Sequence, residues 1–239
     1  MKTSAAVLRE IGLPQPYAAS RPLSIETVEL DPPGPGEVLV KVRAAGLCHS
    51  DLSAINGDRP WPMPIVLGHE AAGEVVETGV GVTDLVAGDH VVLVFRPMCG
   101  VCESCQVGRP ALCGPGGEAN ASGSLLGGYK RLRAPGGGAV NHHLGCAAFS
   151  EYTVASRRSM VKIDRSLPFD EAALFGCAVM TGAGLRAAAS ESRRCGRGAR
   201  RPASAPGRSP PPAGPSAPAP GARGTRCGRW PGQPPPVRR

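Results

Sequence analysis

Up to about Ala155, apolar positions recur at every second residue in short runs that end at glycine or proline. LSIETVEL alternates moderately. EVLVKVR alternates well, with Val38, Val40 and Val42 on one face and Lys41 and Arg43 on the other. The DPPGPGE turn before it ends in the strand. AAGEVVETG and DHVVLVF read as further strands, joined by a glycine-rich turn around Gly79 and Gly81 and by AGD. SEYTVA and SMVKI supply two more after a long irregular segment. FDEAALFG is the first helix with a clear signal: Pro168 precedes it, and acids occupy its first turn, where they suit the helix dipole. Many short strands with little helix predict a mainly β fold, a compact and partly closed barrel.

This pattern ends near Leu185, and composition changes with it. Of the 239 residues, those up to Leu185 include 15 basic and 18 acidic side chains, whereas the segment from Arg186 holds 12 arginines against the single acid Glu191. The net charge of +8 therefore describes the end of the chain and not its patterned part. Beyond Leu185 only Trp230 and Val237 are sizeable hydrophobic residues. Such a segment buries too little apolar surface to offset the entropy of ordering its backbone, so residues 186–239 are expected to be a disordered basic tail after a folded domain over 1–185. Lys2, Arg9 and Glu10 interrupt the only early apolar run, and no stretch approaches the ~20 apolar residues of a membrane span. Nine cysteines without an export signal point to a reducing compartment, and the expected location is cytoplasmic.

The cysteines form two constellations. Cys99, Cys102, Cys105 and Cys113 follow C-x2-C-x2-C-x7-C, and four thiolates so close in the chain can wrap one tetrahedral ion with no position left for water or substrate. A zinc held there, in a lobe over about 95–115, is structural. The second set is dispersed: GLCHSD with Cys48 and Asp51, LGHE with His69 and Glu70, and FGC with Cys177. Two cysteines and one histidine make a three-ligand zinc set whose fourth position stays open for chemistry. His142 and His143 are adjacent and point different ways, so they read as loop histidines and not as ligands.

GLCHSDLSAINGDRP, PIVLGHEAAGEVVETGVGVTDLVAGDHV, the four-cysteine run, LGCAAFSEYTV and FGCAVMTGAG follow in an order and spacing that resembles zinc-dependent alcohol dehydrogenases of the medium-chain dehydrogenase/reductase superfamily. The resemblance runs from about residue 5 to Gly184 and implies a GroES-like β-barrel domain. It implies that Cys48, His69 and Cys177 hold a catalytic zinc, with Glu70 close enough to approach it, and that Asp51 orients the ligand histidine. Ser50 matches the hydroxyl that passes the alcohol proton outward, Phe95 a substrate-pocket residue and Thr181 a position against the nicotinamide. His49 stands where many relatives place an arginine for the cofactor pyrophosphate, and Ser53 where some have a relay histidine. The implied reaction oxidises an alcohol to an aldehyde or ketone, with zinc as Lewis acid and NAD or NADP as hydride acceptor. Two zinc ions per chain follow, one catalytic and one structural.

The match stops after TGAG. No valine-rich strand leading into G-x-G-x-x-G follows, and GPGGEA, which fits a relaxed form, comes after a cysteine and is expected to open no helix. Arginine, proline, alanine, glycine and serine are what a GC-rich coding sequence yields out of register, so we read the frame as lost near Gly184 and Cys195 and Cys227 as incidental. On that reading the chain holds no NAD, turns over little alcohol, and lacks the surface from which the family builds its oligomers. The alternatives are a zinc-binding remnant without catalysis, a fragment that does not fold stably, and a protein whose basic tail binds nucleic acid. Without interleaved aromatics, that last binding is expected to be non-specific.

Overall fold

A computed structural model describes the backbone of residues 1–197 and the side chains of residues 1–187. The chain divides into a unit Met1–Gly182, which carries every described strand, and a second unit from Ala183 to Arg239. In chain order the elements are β1 (Lys2–Leu8), α1 (Tyr17–Ser20), β2 (Leu23–Leu30), β3 (Glu37–Gly46), α2 (His49–Ile55), β4 (Ile65–Val66), β5 (Glu70–Thr78) and β6 (His90–Leu93). There follow α3 (Glu103–Gln106), α4 (Gly114–Ser122), β7 (Leu132–Arg133), β8 (Ala139–His142), β9 (Tyr152–Ser156), β10 (Met160–Ile163), α5 (Phe169–Ala173) and α6 (Ala178–Arg197).

Strands β1, β2, β7, β8 and β4 close a barrel, and β10, β6, β5, β3 and β9 form a five-stranded sheet in that order. The mainly β, barrel-type fold expected from the alternation is the one observed. Strand β3 organises the sheet. It pairs antiparallel with β5 over Val38–Gly46 and, on its other edge, with β9. Its alternation supplies two cores at once. Val38 and Val40 pack with Val75, Val91, Leu93 and Met160. Leu39 turns the other way, into the barrel cluster of Val7, Val28, Leu30, Leu132 and Val140. Full burial of side chains of this size stabilises by about 1.5–3 kcal/mol each, so a strand that feeds both cores fixes its own register. Two register shifts against β5, near Leu39/Val40 and Val42/Ala44, bend it as bulges do.

Helix α5 packs across strands β5 and β6, its Ala172 and Ala173 against Ala72 and Val92. A 3-10 turn, Leu174–Gly176, then brings the chain over β6. At Gly176 a Cβ would lie 2.5 Å from the Leu93 carbonyl oxygen, so only glycine lets the backbone pass this close before Cys177. A second forced glycine is Gly68, between β4 and β5. Its φ is +88°, and a Cβ there would meet the Phe149 backbone nitrogen and ring at 2.6 Å.

Two expectations change. GPGGEA does open a helix: α4 begins at Gly114, capped by the Cys113 sulfur, which accepts from the Gly116 N–H at 3.3 Å. The element before it is a 3-10 turn, Pro110–Leu112, and not a strand, so the stretch follows the four-cysteine run and lacks the strand of a dinucleotide fingerprint. His142 and His143 are not loop residues. The first ends β8, the second opens a 3-10 turn, and both are fully buried. Helix α6 carries the chain to Arg197, so its last turns fall in the basic segment. The expected tail starts at Arg186, and its part from residue 198 on, with Cys227 and Trp230, lies outside the described residues.

Replacing Gly68 by alanine combines a left-handed backbone with a backbone collision. We expect a loss of about 2–4 kcal/mol in urea unfolding of the zinc-loaded protein. Gly136→Ala, also at positive φ but with nothing within 4 Å, should lose only about 1–2 kcal/mol. Equal losses at the two positions would contradict this account.

Candidate metal centre

Cys48 closes the loop after β3 and precedes α2; Asp51, three residues on, reaches back so that its Oδ2 accepts from the Cys48 N–H at 3.0 Å. His69 follows Gly68 at the β4–β5 junction. Cys177 follows the 3-10 turn behind α5. These three junctions bring the Cys48 and Cys177 sulfurs to 3.9 Å, and the ligand atoms of Cys48, His69 and Cys177 all lie within 4.8 Å of one another. A disulfide needs about 2.05 Å between sulfurs. A tetrahedral zinc with bonds of about 2.3 Å separates them by about 3.8 Å. The observed spacing suits the ion.

The electrostatics of the cluster are those of closely packed, mutually interacting titratable groups. Burial raises the Cys48 thiol, but the backbone and hydroxyl of Ser50 and the His69 ring outweigh it, and the net direction is down. Cys177 is pushed up to about 11 by burial and by the Cys48 sulfur beside it. Burial lowers His69, but the hydrogen bond and charge of Asp51 raise it further. Asp51 itself is raised by burial, yet His143, His69 and the Cys48 N–H hold it far below the usual carboxylate range. Glu70 is raised by burial despite a hydrogen bond from the Ala178 N–H.

The remaining expected residues fall around this set unequally. The Ser50 hydroxyl is 3.7 Å from the Cys48 sulfur. Phe95 packs edge-on against His69 with centroids 5.9 Å apart. The Thr181 N–H donates to the Cys177 carbonyl at 3.1 Å, one helical turn along α6. His49 is exposed, and its Nδ1 pairs with Ser53 Oγ at 3.4 Å and not with the cluster. Sequence reasoning missed His143 and Trp61. The His143 ring stands edge-on to both His69 and Trp61. Strand β8 ends between the two histidines, and they face different ways: His142 accepts from the Arg131 N–H, and the His143 ring lies toward Asp51.

The second constellation stands apart from the first. The sulfurs of Cys99, Cys102, Cys105 and Cys113 also lie within 4.8 Å of one another, with Cys102 and Cys113 at 3.9 Å. Hydrogen bonds from the Val101 and Cys102 backbone bring Cys99 down to about 6, and burial among the other thiols lifts Cys105 to about 11. Four donors complete a tetrahedron, so this lobe is closed.

A barrel with a closed four-sulfur lobe and an open two-sulfur, one-imidazole set defines a metal-centre domain of dehydrogenase type. Residues 34–165 match the alcohol dehydrogenase GroES-like domain, and the chain belongs to that family. It is 40% identical over 185 residues to S-(hydroxymethyl)glutathione dehydrogenase of Escherichia coli O6:H1, an alignment covering 77% of this chain and 48% of that protein. An alcohol dehydrogenase zinc-binding domain protein from Burkholderia ambifaria superposes with a TM-score of 0.70 at 37% identity, over 77% of this chain and 48% of that one. Benzyl alcohol dehydrogenase from Acinetobacter calcoaceticus gives 0.67 at 34%, over 77% and 47%. The chain thus spans about half the length of the relatives it matches. Among the described residues no helix is long and apolar enough to cross a membrane.

His142 generates a pH prediction. Burial first, and then the charges of Arg131 and Lys130, push it down to about 3. The unfolded chain takes up this proton near pH 6.5 and the folded one resists until about pH 3, so stability falls as pH drops through that window and is unaffected above it. We expect His142→Gln to show a shallower fall than the parent in denaturant titrations between pH 6 and 4. Parallel curves would refute the assignment.

Proposed function

We propose that this chain carries the metal-binding side of a zinc-dependent alcohol dehydrogenase. The observation that supports this best is the 3.9 Å approach of Cys48 and Cys177 with His69 beside them, three donors from three separate junctions around one point. When bound there, zinc supplies Lewis acidity that lowers the pKa of an alcohol oxygen.

The chain's own residues do the rest. The Asp51 carboxylate, 3.3 Å from His69 Nδ1, keeps a proton on that nitrogen and leaves Nε2 as the donor. Ser50, beside the Cys48 sulfur, is placed to take the alcohol proton outward. Phe95 and Trp61 shield the imidazole cluster from water on their sides, which strengthens every charge interaction within it. Glu70, next to His69, keeps a carboxyl close to the ligands without occupying a corner. The four-cysteine lobe contributes folding energy, since its site forms only in the folded chain.

The nicotinamide cofactor that the family implies has no comparable fit. Among the described residues no strand runs into a glycine-rich turn and helix that would receive a pyrophosphate. His49 and Thr181 are both exposed, and no step is assigned to them.

Metal analysis of the purified full chain tests the proposal. We expect one zinc for each of the two cysteine clusters, with Cys48→Ala or Cys177→Ala removing one of them and leaving the lobe intact. Alcohol oxidation with added NAD or NADP by this chain alone is expected at background. A single zinc, unchanged by either substitution, would remove the basis of the assignment.

A further inference from the structure

A cavity of about 930 Å³ meets the four-cysteine lobe, and the metal reading gives it no part. Its lining draws Met98, Cys99 and Pro115 from the lobe, and Glu37, Asp84 and Arg158 from strand β3 and the turns beside it. The lining acids already have partners. Glu37 accepts from the Gly34 N–H at 2.8 Å and from Arg131 Nε at 2.7 Å, and Asp84 takes two N–H groups of Arg157, at 2.9 and 2.6 Å. Arg158 is left as the cation of the lining that has no carboxylate among the described residues.

Its guanidinium is nevertheless placed against something. Arg158 belongs to the 3-10 turn Arg157–Ser159 that joins β9 to β10, and from there its side chain reaches the lobe. A Cβ on Gly100 would lie 2.7 Å from Arg158 Cζ and 3.1 Å from Nη2, so the guanidinium rests on the Gly100 backbone. Gly100 directly follows Cys99, inside the first C-x2-C loop. The turn that carries the arginine is itself held. The Ser156 hydroxyl accepts from the Arg158 N–H at 3.3 Å, and the Ser159 carbonyl accepts from the Val94 N–H at 2.8 Å, just where the chain leaves β6 for the lobe.

Four thiolates around one divalent ion carry a net charge of about −2, and loading them releases thiol protons. The lobe therefore becomes more negative as metal enters, and a cation at its edge favours the loaded form. Resting on the reading of this lobe as a metal site, we propose that Arg158 is a positioning residue that supplies the counter-charge of the four-thiolate lobe and pins its first loop to the β9–β10 turn. An anionic guest in the same cavity would lie beside Cys99 and oppose that charge, so the arginine serves the lobe. Its charge is exposed and screened by salt, so its share of the affinity is several-fold and not many orders of magnitude.

Equilibrium zinc binding by the full chain tests this, with a chelating dye as competitor and in a Cys48→Ser background that leaves the lobe as the metal site. In about 10 mM salt we expect Arg158→Gln to bind zinc several-fold more weakly than the Cys48→Ser parent, and Arg158→Lys to recover most of the loss. In about 1 M salt, where charges are screened beyond a few ångströms, the three should converge. Equal affinity of Arg158→Gln and the parent at low salt overturns the proposal. So does a deficit that salt leaves unchanged, or an Arg158→Lys protein that behaves like Arg158→Gln, since either assigns the effect to packing and not to charge. Should Arg158→Gln not fold, nitrogen–proton NMR of the parent decides instead: an Arg158 Nε–H signal that shifts as zinc is loaded supports the proposal, and one that stays in place overturns it. A Cys48→Ser parent that binds no zinc would sink the lobe reading itself, and this is seen before Arg158 is changed.

Discussion

Two sulfur atoms, 129 residues apart in the chain and 3.9 Å apart in space, set the terms for the rest of this molecule. Held so close, they cannot both ionise in the absence of a cation. The lowered pKa of Cys48 and the raised one of Cys177 are two sides of that conflict, because once one sulfur is charged the second resists. A divalent cation removes the conflict and releases the remaining proton. The fold must keep the pair together in either state. It does so with backbone that has little freedom: β3 locked between two cores, and a glycine passing 2.5 Å (measured to its would-be Cβ) over the Leu93 carbonyl.

Asp51 does for the other two ligands what Gly176 does for Cys177. One of its oxygens accepts from the Cys48 backbone and the other from the Gly68 backbone, immediately before His69. A single carboxylate thus registers the β3–α2 junction against the β4–β5 junction. Buried carboxylates are costly unless their lone pairs are filled. Here two backbone amides and the His69 imidazole fill them, with His143 close by, and the group remains ionised against the effect of burial. Truncating it would unfasten two ligand loops and leave buried N–H groups without acceptors, so its effect would exceed that of one lost hydrogen bond.

What the sequence disclosed follows the same physics. EVLVKVR was legible because Val38, Val40 and Val42 recur at every second position, although β3 also buries Leu39 on its other face, and LSIETVEL was legible from its more moderate alternation. Strands of two residues, β4 and β7, carry no period to read, although they complete the barrel. The run KTSAAVL hid as a strand because its inward Thr3 and Ala5 are small or polar. The grouping of Cys99, Cys102, Cys105 and Cys113 was legible from their spacing, whereas that of Cys48, His69 and Cys177 came from the family resemblance, since no local spacing joins them. The place of His143 was not legible, because its approach to Asp51, 92 positions earlier in the numbering, is encoded by no local pattern.

The two cysteine clusters differ in openness for a reason that lies in chain connectivity. Cys99, Cys102, Cys105 and Cys113 sit on short turns and on the cap of α4, so closing the loops between them costs little entropy and all four can reach one point. Backbone amides of Cys99, Cys102 and Gly116 point at their sulfurs and spread the charge. The dispersed set draws one donor from each of three rigid junctions. Each donor approaches from its own wall of the domain, and a fourth would need another wall on the remaining side. The Glu70 carboxylate beside His69 accepts from the Ala178 N–H instead. Three donors with a carboxyl held back is therefore what this topology delivers, and on the function proposed above the remaining corner is the one that a substrate oxygen would take.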